Sequence, residues 1–180
     1  MVTVDTSTEQ STISRYNVEL CSWETVLSSH QGCREECCVV TAGNHLYVFG
    51  GKPPRDSQYS QYVTKAERFD TVENKWEEIA DMQQARGCAC GVATQGKIFV
   101  AGRNKTCEMY NVSTNEWQLI GSLNYWREYG SMVCLNGTLY VLGGTRDCYN
   151  KLLTVEYYDG TKDKWMKKTT IPVKKDLRRE

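Results

Sequence analysis

Thr138 to Trp165 reads TLYVLGGTRDCYNKLLTVEYYDGTKDKW. An apolar run stops on two glycines, a polar gap follows, and the chain returns with an aromatic pair, a polar turn and a tryptophan. The same order of events recurs along the chain. Aligned on the apolar run stand LYVFGG (Leu46 to Gly51), IFVAGR (Ile98 to Arg103) and LYVLGG (Leu139 to Gly144). Downstream of them come RFDTVENKW (Arg68 to Trp76), MYNVSTNEW (Met109 to Trp117) and YYDGTKDKW (Tyr157 to Trp165), and a partial copy, RYNVELCSW (Arg15 to Trp23), precedes them all. In each, an aromatic residue stands seven positions before the tryptophan: Tyr16/Trp23, Phe69/Trp76, Tyr110/Trp117 and Tyr158/Trp165. An arginine (Arg34, Arg86, Arg127) also stands 17 positions before the second glycine position of each complete copy. A fixed period of this kind dictates architecture before any single residue does.

The unit runs 41 to 53 residues from tryptophan to tryptophan, the range of propeller blades rather than of helical solenoids. Its apolar pieces are short, β-branched and aromatic, and bounded by turn residues, which reads as strands. In the copy from Cys37 to Trp76, CCVVTA and HLYVFGG form a hairpin over AGN, and KAERFD and KWEEIA form a second over TVEN. Asn136-Gly137 is the strongest turn signal, because both central residues of a type I′ turn need positive φ. Each unit is therefore four antiparallel strands, and no helical period of useful length interrupts them.

Double glycine (Gly50-Gly51, Gly143-Gly144), then an aromatic residue in the third strand and tryptophan in the fourth, resembles the kelch repeat, over about residues 13 to 175. Gly102-Arg103 departs from the double glycine. The resemblance implies an all-β fold, a kelch β-propeller segment with blades set around a central channel. The chain then divides into a disordered N-terminal end (1–12), a half blade of third and fourth strands (13–27), three blades (28–80, 81–121, 122–168) and a lead-in to a further blade (169–180). Three and a half blades do not close a ring, so the expectation is a piece of a longer propeller, with self-association of two chains through open blade edges as the alternative.

Charge is balanced, 22 basic against 22 acidic residues, so no global field draws in nucleic acid or membrane. The first 11 residues lack a charged start and an apolar core, so no signal peptide is read and a cytoplasmic location is expected. Nine cysteines, an odd number without CxxC spacing, point to reduced thiols rather than a disulfide framework. Cys38 and Cys90 share one register with Ser131, as small residues packed near the channel would. Zinc or redox sensing is the weaker reading for them. The two histidines, His30 and His45, fall in loop classes expected on opposite faces, so they form no shared metal site. No nucleophile triad, phosphate loop or carboxylate pair stands out, so neither an enzyme nor a cofactor is expected.

Binding by loops on a rigid scaffold remains. Second-to-third-strand loops and inter-blade connections emerge on one face and are rich in arginine and aromatic residues, the types that anchor interfaces. The candidate contact residues are Arg34, Arg55, Tyr59, Arg86, Arg103, Tyr125, Trp126, Arg127, Arg146 and Tyr149. Arg34, Arg86 and Arg127 recur with the repeat, so a structural hydrogen-bonding role between blades competes with partner contact. Trp126 alone among the five tryptophans lies outside the repeat rule, and either an exposed anchor or packing onto the next blade fits it. Gly50, Gly51, Phe69, Trp76, Gly102, Tyr110, Trp117, Gly143, Gly144, Tyr158 and Trp165 are read as the structural repeat. The resemblance further implies capture of a protein substrate or short acidic segment for a cullin-type ubiquitin ligase, which the cullin would join through a BTB domain not visible in this sequence. A cytoskeletal, actin-associated scaffold is the alternative.

Overall fold

In a computed structural model, residues 2–5, 12–28, 34–53, 61–147 and 150–172 are described. They form fifteen strands in four antiparallel sheets. The three complete sheets are β4–β7 (Cys38–Ala42, His45–Phe49, Ala66–Asp70, Lys75–Glu78), β8–β11 (Cys90–Thr94, Lys97–Ala101, Cys107–Asn111, Glu116–Ile120) and β12–β15 (Ser131–Leu135, Thr138–Leu142, Thr154–Asp159, Lys164–Thr170). In each, strands follow chain order from edge to edge, and the first strands β4, β8 and β12 lie alongside one another. That is the radial arrangement of propeller blades, with first strands innermost.

The N-terminal region differs from expectation. The stretch read as a disordered end carries a strand, β1 (Val2–Asp5), which pairs antiparallel with β2 (Thr12–Asn17), itself paired with β3 (Ser22–Ser28). The first sheet thus has three strands rather than a bare third-and-fourth hairpin. Alternation in VTVD satisfies a strand as well as any repeat segment does, but two valines are too short a signal to separate from a polar terminus.

The seven-residue spacing has a geometric cause. Phe69 faces Trp76 across its hairpin, Tyr110 faces Trp117, and Tyr158 faces Trp165, with ring centroids 5.3, 5.0 and 5.3 Å apart. After each aromatic comes Asp70, Asn111 or Asp159, whose side-chain oxygen accepts backbone N–H groups two or three residues on. Such Asx turns mimic a backbone turn. Asn74, Asn115 and Asp163 then adopt positive φ (53°, 56° and 50°) two residues before the tryptophan, a conformation Asn and Asp tolerate best. The turn length, not the strand, sets the count of seven.

These hairpins also join neighbours. Asn115 Oδ1 accepts the Ala80 N–H of the preceding blade at 2.8 Å and the Tyr110 hydroxyl at 2.8 Å. Asp163 Oδ1 does the same with Gly121 N–H and Tyr158 at 2.6 and 2.5 Å. Between blades, Tyr47 and Phe49 of β5 meet Tyr110 and Trp117; Phe49 stands edge-on to Trp117 at 5.1 Å. Such offset aromatic pairs add about 0.5–1.5 kcal/mol beyond the area they bury.

The double glycine closes the inter-blade joint. Gly50 and Gly51 have φ of 62° and 85°, and the Gly51 N–H donates to the Arg86 carbonyl at 2.7 Å. A Cβ at Gly50 would sit 2.3 Å from that carbonyl oxygen, so no other residue fits without moving backbone. At the equivalent joint the non-glycine Arg103 also takes positive φ, 70°, and its N–H donates to the Arg127 carbonyl at 2.8 Å. The hydrogen bond is kept, and the side chain that glycine lacks is projected onto the loop face.

Candidate functional site

The loop face is built on three buried ion pairs. Arg34, Arg86 and Arg127 precede the first strands of their blades, and each turns inward to a third-strand glutamate: Glu67 at 2.7 Å, Glu108 at 2.9 Å and Glu156 at 2.7 Å. Arg86 also donates to the carbonyls of Gly102 and Thr106 and to the side chains of Asn104 and Thr106. Glu108 in turn accepts the N–H groups of Gln83 and Gln84, and Glu156 accepts that of Asn124. Side-chain exposure is 1% or less for Arg86, Glu108, Arg127 and Glu156. Arg34, Arg86 and Arg127 are therefore corrected from contact candidates to structural residues: each is buried and bonded to a third-strand glutamate of its own blade. Their partners Glu67, Glu108 and Glu156 were missed, although glutamate two residues before the third-strand aromatic is itself a repeat (Glu67/Phe69, Glu108/Tyr110, Glu156/Tyr158).

Nearer the channel, Glu36, Cys88 and Tyr129 occupy one repeat position, two residues after each arginine. All three have positive φ, and they link in series, Cys88 N–H to Glu36 carbonyl at 2.9 Å and Tyr129 N–H to Cys88 carbonyl at 2.8 Å. Around the Glu36 carboxylate gather Lys52 at 2.7 Å, the Tyr62 hydroxyl at 2.5 Å and the Cys88 thiol at 2.7 Å. Burial alone would raise this carboxyl, but hydrogen bonds from Cys88, Lys52 and Tyr62 and the lysine charge outweigh it and hold it down at about 2. Burial and the bond to Glu36 push the Cys88 thiol up to about 11, so at neutral pH it is a protonated hydrogen-bond donor rather than a nucleophile. Arg103 lies 4.3 Å from the Tyr62 ring centre and pairs with Glu128 at 3.0 Å. Every charge of this inner group has a partner.

The outer part of the face is different. Tyr125, Trp126 and Arg146 come together with Lys105 and Asn124 around a pocket of ≈ 320 Å³ between the β8–β11 and β12–β15 blades. Trp126 is 42% exposed while lining this pocket, which favours the exposed reading of the two. Asn124 donates its side-chain N–H groups to Glu156 and to the Trp165 carbonyl, so the buried ion pair anchors one wall. Lys105 was missed as a site residue, being one lysine in a short loop. Arg55, Tyr59, Tyr149 and His30 lie outside the described residues. His45 sits 3.4 Å from Asp70. Among the described residues, seven cysteines are free thiols, and no group of three or more His, Cys, Asp or Glu side chains could hold a metal ion. No helix among them is long and apolar enough to cross a membrane.

Comparison with known proteins agrees with this architecture. The sequence profile of the Kelch motif matches residues 33–83 and 127–171. Kelch-like protein 40 of Xenopus tropicalis is 31% identical over 112 residues, 59% of this chain and 18% of its own length. Kelch-like protein 23 of Pongo abelii is 30% identical over 86% of this chain and 27% of its own. Beta-scruin of Limulus polyphemus is 24% identical over 71% of this chain and 15% of its own. The chain thus spans well under a third of these relatives. The solved structure of YjhT superposes with a TM-score of 0.77 at 15% identity, covering 91% of this chain and 60% of that one, a likeness of fold.

Proposed function

As a member of the kelch-repeat family this chain is a protein-interaction module, and we propose that its loop face captures a short acidic segment of a protein substrate for a cullin-type ubiquitin ligase. The observation that carries the reading is the grouping of the exposed Trp126 ring with Tyr125 and Arg146 in one pocket. Aromatic residues and arginine are the usual anchors of interfaces, and partly desolvated pockets concentrate their effect. The ligase role rests on likeness to kelch-like proteins and on a relative named Kelch repeat and BTB domain-containing protein 12. Recruitment of the cullin falls to domains outside this sequence, and the setting is cytoplasmic. The units 28–80, 81–121 and 122–168 are the blades that carry these loops.

The cytoskeletal, actin-associated scaffold is the second reading, favoured by the match to Beta-scruin, which stands apart by name from the kelch-like proteins. One experiment separates the two. Fused to a BTB module that recruits a cullin, the chain should direct ubiquitin onto the protein it captures, and Trp126→Ala with Arg146→Ala should abolish capture and modification together. Co-sedimentation with actin filaments and no ubiquitylation would favour the scaffold. Capture untouched by the double substitution would move the binding surface away from this pocket.

A further inference from the structure

Among the described residues, the cations discussed above fall into two groups. Arg34, Arg86 and Arg127 are buried against glutamates, Lys52 is held by Glu36, and Arg103 by Glu128. Lys105 and Arg146, by contrast, line the outer pocket with no carboxylate against either among the described residues. The nearest acid in sequence, Asp147, accepts the backbone and side-chain N–H groups of Asn150. Among the described residues, the pocket therefore holds two cations without a carboxylate partner beside an exposed indole.

We propose that this pocket receives a phosphorylated side chain of the partner protein, with Lys105 and Arg146 clasping the phosphoryl group and Trp126 supporting a neighbouring residue of the segment. This deepens the acidic-segment reading and rests on it. A carboxylate brings one negative charge and two oxygens, and so offsets one of the two cations. A phosphoryl group carries about −1.5 to −2 charge at neutral pH and three acceptor oxygens. The planar fork of Arg146 suits two of those oxygens, and Lys105 supplies a point charge to the third. The inner mouth offers no comparable place, because its cations are already bound to Glu36 and Glu128. Recognition is thereby displaced from the channel to the cleft between two blades.

The test offers the 180-residue chain three pools of immobilised peptides with random flanks, identical except for a central phosphoserine, glutamate or serine. The phosphoserine pool should retain about tenfold more protein than the glutamate pool, the factor expected from one further charge-assisted hydrogen bond. Arg146→Ala and Lys105→Ala should each remove that preference, and Arg103→Ala, whose cation is paired with Glu128, should not. Equal retention on the phosphoserine and glutamate pools, lost together in Arg146→Ala, overturns the phosphoryl assignment and leaves the acidic-segment reading standing. Retention on neither pool, or retention indifferent to both pocket substitutions, overturns both. Inorganic phosphate that displaces the protein as effectively as free phosphopeptide also overturns the proposal, since the pocket would then be a site for the free anion.

Discussion

Arg86 and Arg146 are the same residue type on the same side of one propeller segment, and they do opposite things. Arg86 is 1% exposed and bonded to Glu108, Thr106, Asn104 and the Gly102 carbonyl. Arg146 stands exposed at a pocket rim with no carboxylate partner among the described residues. The difference teaches that on a repeat scaffold, recurrence marks residues that hold blades together, and irregularity marks residues free to meet something else. Trp117 and Trp126 divide in the same way: Trp117 faces Tyr110 and donates its indole N–H to the Ala80 carbonyl at 2.7 Å, while Trp126 is 42% exposed.

Replacing Arg86 with alanine should break the comparison most severely. It leaves Glu108 buried and unpaired, so a loss of about 3–5 kcal/mol is expected in urea unfolding, whereas Arg146→Ala should stay within about 0.5 kcal/mol of the parent chain. Similar values for the two would mean that water reaches the Arg86–Glu108 pair. Gly50→Ala comes next. Left-handed φ alone costs a side chain about 1–2 kcal/mol, and the contact with the Arg86 carbonyl adds to that, so thermal unfolding should show a loss above this range. A smaller loss would mean the inter-blade joint yields easily.

Acid sharpens the comparison at the inner mouth. The folded Glu36 carboxyl, near 2, lies below its ordinary value of 4.5. Its contribution to stability is therefore complete above pH 4.5 and fades as pH falls toward 2. Glu36→Gln should flatten that part of the stability–pH curve, an effect softened by the partial exposure of the site. An unaltered slope would show that Lys52, Tyr62 and Cys88 do not hold the carboxylate in solution. Arg103→Ala should do least. Its pair with Glu128 is 41% exposed on the arginine side, and such pairs contribute up to about 1 kcal/mol. A larger loss in the same unfolding assay would make its stacking on Tyr62 a structural contact.

Much of the fold was legible because the aromatic-to-tryptophan spacing is a local quantity. Asp70, Asn111 and Asp159 start turns of fixed length, so the register of the third and fourth strands follows from residues a few positions apart. The type I′ turn at Asn136-Gly137, with φ of 49° and 75°, was readable for the same reason. β1 was not, because a four-residue strand exists only through its partner β2. The site was legible in part. Tyr125, Trp126 and Arg146 were named from residue type and loop position, but Lys105 enters the pocket from another blade. The buried glutamates were visible as a pattern whose meaning needed the arginines beside them.

The sequence by itself determined the repeat, the four-strand unit, the positions of its glycines and rings, and the face that carries the loops. Each of these is set by turn chemistry and side-chain alternation within some fifty residues. Only the tertiary structure decided which arginines are buried and which are offered outward. That outcome depends on whether a carboxylate from a distant strand lies within reach, as Glu108 does for Arg86 and, among the described residues, none does for Arg146. Burial of a charge is a property of its surroundings, and those are assembled by the fold from segments that the chain keeps apart.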